Sequence, residues 1–158
     1  MYLITSRQGL YVFDNTKISF SKIKKGYFFG CSYHNSSNKW FVFGYNGESE
    51  KDKNQPTFQG YIASFSLSQC QTGYEVSDWN IEVHGLDNGS HQIKIYNKRL
   101  YVLETYIQNI KIYNIHDDGT LSLYLEKSLG TKVCNAHYKV NNANYQDTLV
   151  QIISIITL

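Results

Sequence analysis

Three side chains of metal-binding type occupy similar positions along the chain. Cys31, His91 and His137 follow three glycines by five, six and seven residues. Thiolate and imidazole groups are ligands that zinc prefers, and a bound zinc ion can polarise a carbonyl group and activate water. The spacing therefore supports a metal site as one hypothesis, provided that the fold brings the three side chains together.

The segments that must position these residues have the pattern of β-strands. Runs rich in β-branched and aromatic side chains alternate with clusters of Gly, Asn, Asp and Ser. Examples are GLYVFD at 9–14, KWFVFGY at 39–45, GYIASFSL at 60–67 and NIKIYNI at 109–115. Sustained helical periodicity is absent from the sequence. The chain is therefore predicted to be all-β, with short strands and short connections.

The predicted strands recur in a fixed order. The copy at 87–131 consists of a strand, the turn residues Asn97 and Lys98, three further strands and a closing glycine. The copy at 28–86 repeats this order with a polar insertion at 46–59. Without the insertion, the repeating unit is about 45 residues long, and four antiparallel strands in about that length are typical of a β-propeller blade.

We therefore predict one all-β, β-propeller-like domain over residues 1–158, with about three and a half four-stranded antiparallel blades. Residues 1–27 and 132–158 are the predicted partial blades, and the first of these has three strands. Closed propellers have about four to eight blades. The expected architecture is thus either a compact four-bladed ring, completed by the N-terminal strands, or an incomplete array. An incomplete array would be a truncated fragment or would self-associate through exposed blade edges.

The register on the closing glycines predicts that Cys31, His91 and His137 stand at the start of the innermost strand of each blade. The innermost strands of propeller blades line a central channel, so these side chains are expected to converge there. The same residues also have a structural interpretation as hydrogen-bonded plugs, with Cys31 as a small buried hydrophobe. Asn88 and Asn135, together with the two histidines, are the candidate ligand-binding residues at the channel mouth, although asparagine also forms turns. The cofactor that these residues suggest is a divalent metal.

One stretch carries a family resemblance. LYVLETYIQNIKIYNIHDDGTL at 100–121 resembles the repeat of NHL-type propellers, in which a leucine-tyrosine-valine strand is followed by an acidic residue with threonine and an asparagine-containing turn. An alternating strand and an aspartate-glycine turn complete that repeat, and YLITSRQGLYVFD at 2–14 is a degenerate second copy. Glu104 stands where the family usually has aspartate. The resemblance implies propeller architecture and specifies no activity.

Composition restricts the classes of partner. Fifteen basic and thirteen acidic side chains leave a formal charge of +2, which is too weak to demand a nucleic acid or an anionic membrane. Lys22, Lys24 and Lys25 form the one basic cluster, and aromatic residues follow them, but alternating lysines also protect exposed strand edges. The apolar stretch at 149–158 is too short to span a membrane as a helix. We expect no nucleic acid and no membrane among the partners.

Dispersed cysteines and an N terminus unlike a signal peptide favour a reducing, cytoplasmic location. His34 and His116 are expected in solvated loops. The sequence contains no nucleophile elbow, phosphate-binding loop or dinucleotide fingerprint. We favour a non-enzymatic propeller that binds a protein or a small-molecule ligand at its face. The alternative is a metal-dependent, lactonase-like hydrolase that uses a channel metal.

Overall fold

The computed structural model describes residues 1–46, 59–87, 93–104 and 109–128. These ranges contain eleven strands and no helix. In chain order the strands are β1 (Tyr2–Ser6), β2 (Gly9–Asp14), β3 (Ser19–Lys25), β4 (Tyr27–His34), β5 (Lys39–Tyr45), β6 (Gly60–Cys70), β7 (Gly73–Leu86), β8 (Ile93–Tyr96), β9 (Arg99–Glu104), β10 (Asn109–Ile115) and β11 (Leu121–Ser128). The prediction of an all-β chain is confirmed.

The strands form three antiparallel sheets in which each strand pairs with its neighbours in the chain. The first sheet has three strands, β1 to β3, whereas the second (β4 to β7) and the third (β8 to β11) have four each. This is the blade pattern that the repeat predicts, including the three-stranded N-terminal unit. The predicted partial blade at 132–158 lies outside the described residues.

Short turns of suitable composition close the hairpins. Asn97 and Lys98 both have positive φ, at 47° and 59°, as the central residues of a type I′ turn require. After β2, the Asp14 carboxylate accepts hydrogen bonds from the backbone and the hydroxyl of Thr16, at 2.9 and 2.6 Å. That turn extends through Ile18, and β3 begins at Ser19.

The sheets are arranged like adjacent blades of a propeller. β1 lies against β4, and β4 lies against β8, which places the first strands of the three sheets side by side. At the opposite edge, β3 lies against β7. Two side chains join β1 to β4: Thr5 donates a hydrogen bond to the carbonyl oxygen of Phe29, and Cys31 Sγ lies 3.9 Å from the carbonyl oxygen of Leu3.

The second sheet is buried on both faces because its side chains alternate between two apolar clusters. Phe41 and Phe43 of β5 pack against the third sheet, in a cluster with Val102. Val42 of β5 and Phe65 of β6 pack against the first sheet instead. Full burial of such side chains stabilises a fold by about 1.5–3 kcal/mol each. Both interfaces of the array therefore depend on the second sheet.

The start of β4 differs from the sequence prediction. Cys31 was expected at the beginning of this inner strand, but β4 begins at Tyr27 and Cys31 is its fifth residue. A single residue, Gly26, separates β3 from β4 and has a φ of 152°, a conformation that favours glycine. Because this connection is a single residue, β4 begins four residues before Cys31.

The insertion after β5 begins and ends at adjacent points of the same hairpin. The Asn46 amide donates a hydrogen bond to the carbonyl oxygen of Gln59, at 3.1 Å. In the described part of the chain, no helix has the length and the apolar content needed to cross a membrane.

Candidate interaction surface

Of the predicted site residues, only Cys31 belongs to the described part of the chain. Asn88, His91, Asn135 and His137 lie outside the described residues, so their convergence at a channel stays a prediction. Among the residues that the structure does describe, no three His, Cys, Asp or Glu side chains are grouped so that they could hold a metal ion.

Cys31 lies in an apolar environment between the first two sheets. Its side chain is half-buried and packs against the cluster that contains Leu10 and Phe65. Burial raises the pKa of the thiol to about 11. A metal ion binds a cysteine as the thiolate, and this environment keeps Cys31 as the neutral thiol, so it disfavours a role as a metal ligand. These contacts agree with the interpretation of Cys31 as a small buried hydrophobe.

Glu104 is a fully buried carboxylate between the second and third sheets. Its Oε1 accepts a hydrogen bond from the Asp87 amide at 2.9 Å, and its Oε2 lies 3.0 Å from Lys111 Nζ. Burial, followed by the charges of Glu104 and Glu126, raises the pKa of the nearby Tyr113 phenol. Because Glu104 has no access to solvent, its role is to connect the end of β7 to the third sheet rather than to contact a substrate.

His34 is buried rather than solvated. It ends β4, with 5% of its surface exposed, and its Nδ1 lies 2.8 Å from the Ser37 hydroxyl. Its Nε2 has no hydrogen-bond partner among the described residues. Burial and the charge of Lys98 lower the pKa of the imidazole, while Asp117 raises it. Both charged residues belong to turns of the third sheet, so the turn after β4 packs on that sheet.

Two of the aromatic residues that follow the lysine cluster are not available for stacking. Tyr27 and Phe28 are only 1% exposed and belong to the two apolar clusters. Lys24 Nζ lies 4.2 Å from the centre of the Trp79 ring of β7, a distance typical of a cation–π contact. These positions agree with the interpretation of the cluster as edge protection.

The outer face of the first sheet is an apolar surface that the described residues leave uncovered. Leu10 and Val12 of β2 point towards the second sheet and are buried. The residues that alternate with them point to the opposite side of the sheet. We call this side the outer face and define it by Tyr2, Ile4, Tyr11, Phe13, Phe20 and Lys22.

An aromatic stripe crosses the outer face from strand to strand. Tyr2, Phe13 and Phe20 are direct partners in the registers of β1, β2 and β3. The ring centres of the first two lie 6.3 Å apart, and those of the last two lie 4.7 Å apart. Tyr2 remains 61% exposed and Phe20 68% exposed. Lys22 Nζ lies 5.6 Å from the centre of the Tyr11 ring and places a positive charge beside the stripe.

Sequence reasoning missed this surface because its members are far apart in the chain. In the sequence, the aromatic residues that adjoin the lysines at 22–25 are Tyr27, Phe28 and Phe29, and none of them belongs to the outer face. A usable signal was present in the two-residue turn between Ser6 and Gly9, which sets the register of the first hairpin. That register, extended to β3, places the three rings in one row.

Comparisons with known proteins give little further information. No family model matches the chain, and no curated protein matches it. A solved structure of a protein from Lactobacillus plantarum, determined by crystallography in a structural genomics programme, shows a TM-score of 0.47 and 12% sequence identity. The match covers 77% of this chain and 33% of that protein, so the chain spans about a third of its length.

Proposed function

We propose that the chain is a non-enzymatic, propeller-like binding module that takes a protein partner on the outer face of its first sheet. The observation that carries this proposal is the row formed by Tyr2, Phe13 and Phe20, in which two rings are more than half exposed. Exposed, contiguous apolar patches on a folded protein mark interaction sites. Aromatic residues are also enriched where protein interfaces are most stable.

The packing inside the molecule supports the choice of a protein partner. Both faces of the second sheet are rich in apolar side chains such as Phe and Val, and each of them is covered by a neighbouring sheet. Among the described residues, the first sheet has such a cover on one face only, through Leu10 and its neighbours. A flat protein surface would cover the other face in the same way. We further propose that the blades are NHL-like and that the location is cytoplasmic, which the free thiols of Cys31 and Cys70 support.

A fluorescent apolar probe, anilinonaphthalene sulfonate, tests whether the outer face is available. We expect the native chain to bind the probe with saturable fluorescence, and Phe20→Ser to lose most of that signal. Leu123→Ser is the matched control, because Leu123 is an exposed apolar residue of β11 in the third sheet. Circular dichroism checks that both variants keep their strands. Equal fluorescence from the two variants would overturn the proposal.

Metal analysis separates this function from the hydrolase alternative. A stoichiometric metal in the purified chain that is lost in His91→Ala would support the hydrolase. The same variant would leave probe binding at the outer face unchanged, because that face is formed by β1 to β3 alone.

A further inference from the structure

We infer that the partner of the outer face is a protein surface with an apolar centre and an acidic rim. This inference rests on the proposed function and adds the chemistry of the partner. It follows from the charges of the first sheet, from the charges of the third sheet, and from the contact that the basic strand β3 makes with β7 in the described structure.

The charged side chains of the first sheet and its turns are almost all positive. Residues 1–26 contain five cationic side chains and one carboxylate, which gives a formal side-chain charge of +4. Lys22 lies on the face itself, and Lys17 is exposed in the turn before β3. The single carboxylate, Asp14, is 8% exposed and accepts hydrogen bonds from Thr16. A protein that binds the outer face therefore contacts apolar side chains with the positive charges of Lys22 and Lys17 beside them.

A second copy of the chain does not complement this pattern. Two outer faces packed together would place Lys22 of each copy in the same positive field. The far face of the third sheet, formed by residues that alternate with those facing the second sheet, offers no apolar complement, because Tyr101 is 2% exposed and Ile110 is 0% exposed; their partners in the register, Lys94 and Lys127, are exposed cations. Within the described strands of that sheet, no carboxylate shares this face. Like charges brought together at an interface oppose association.

The contact between β3 and β7 shows what this side of the molecule accepts. β3 carries three lysines, whereas residues 59–87 contain four carboxylates and neither Lys nor Arg. The two strands lie against each other, and the Lys24 ammonium lies over the Trp79 ring of β7. Within the fold, the basic strand β3 thus already packs against the Trp79 ring of the acidic strand β7. A binding protein of the same chemistry would repeat this contact on the outer face.

The form of the stripe favours a protein over a single-stranded nucleic acid. Nucleic acid bases stack on open ring faces. Here Phe13 and Phe20 pack against each other across the strands, with ring centres 4.7 Å apart. Ile4 and Ile18 add exposed aliphatic groups, which offer no stacking surface. Both features suit apolar side chains better than bases.

Synthetic polypeptides of known charge test the inference. The probes are a fluorescently labelled glutamate-tyrosine copolymer, a lysine-tyrosine copolymer of equal length, and oligo(dT), each titrated by anisotropy at low salt. We expect the glutamate copolymer alone to bind tightly, and its affinity to fall by roughly tenfold when the salt is raised from about 50 to about 500 mM. Phe20→Ser should abolish binding, and Lys22→Glu should weaken it by roughly fivefold or more.

The control is Lys94→Glu, which makes the same charge change on the far face of the third sheet and should leave binding within about twofold. Equal binding of the lysine copolymer, or tighter binding of oligo(dT), would overturn the inference. A dimer in sedimentation equilibrium that disappears in Phe20→Ser would also overturn it in favour of a second copy. If the apolar probe binds the outer face but no copolymer does, the proposed function stands and the acidic partner is wrong.

Discussion

Replacing Lys111 with methionine should destabilise the fold more than replacing its partner, Glu104, with glutamine. The Glu104 carboxylate is fully buried, so Lys111→Met leaves a charge with no counterion and no water. Removing one partner of a buried ion pair costs about 3–5 kcal/mol. Because Lys111 is 17% exposed, we take the lower end and expect a loss of about 3 kcal/mol.

Glu104→Gln has a smaller expected effect for two structural reasons. The amide oxygen can still accept the hydrogen bond from the Asp87 amide, and Lys111 Nζ can move towards Glu126 Oε1, which already lies 3.8 Å away. We expect a loss of about 1 kcal/mol, the usual size of one altered polar contact. The paired replacement Glu104→Leu with Lys111→Met should be less destabilising than Lys111→Met alone.

Urea unfolding followed by tryptophan fluorescence measures these differences, provided that the slope against denaturant stays constant among the variants. A larger loss in Glu104→Gln than in Lys111→Met would refute the reasoning, because it would mean that the buried carboxylate does not depend on its counterion. A double variant that is less stable than both single variants would refute it as well.

Three further predictions concern single side chains. Burial lowers the pKa of His34, so the contribution of the neutral imidazole to stability is complete above about pH 6.5 and is lost as the pH falls towards the lowered pKa. The urea midpoint of the native chain should therefore fall between about pH 7.5 and 5.5, and His34→Gln should reduce this pH dependence. An equal pH dependence of the midpoint in the two proteins would contradict the prediction. Cys31 should react with iodoacetamide at least tenfold more slowly than Cys70 at about pH 8, as measured by peptide mass spectrometry. The reason is that burial raises the pKa of Cys31 to about 11, whereas the hydrogen bond with Thr72 lowers the pKa of Cys70. Equal rates for the two cysteines would contradict this prediction. Gly44→Ala should lower the unfolding free energy by about 1–3 kcal/mol, because the added Cβ would lie 2.8 Å from the Tyr61 ring, and calorimetry that finds an unchanged midpoint would exclude this clash.

The sequence predicts the elements of this fold well because their signals are local. The turn residues Asn97 and Lys98 and the recurring strand order are sufficient to predict sheets of three, four and four strands. These features depend on backbone preferences and side-chain alternation, which can be recognised in a single chain.

The candidate site is predicted poorly because it depends on which face of each sheet is covered. Nothing in the alternation of β2 shows that Leu10 faces the second sheet while Phe13 remains on the outside, since both are apolar. The beginning of β4 at Tyr27, which places Cys31 in the middle of the strand, likewise depends on the single residue, Gly26, that connects β3 to β4. The histidines proposed as its fellow ligands lie outside the described residues, so that hypothesis is still a prediction.

The double burial of the second sheet has a consequence for how the molecule opens. A sheet with neighbours on both sides cannot be exposed to solvent until one of those neighbours separates from it. Amide hydrogens of β5 and β6 should therefore exchange with deuterated solvent only through global unfolding, while those of β1, which the described residues cover on a single side, exchange through local detachment. A partner bound to the outer face would slow that local exchange and leave the exchange rates of β5 and β6 unchanged. Exchange in the N-terminal hairpin therefore measures whether the outer face is occupied.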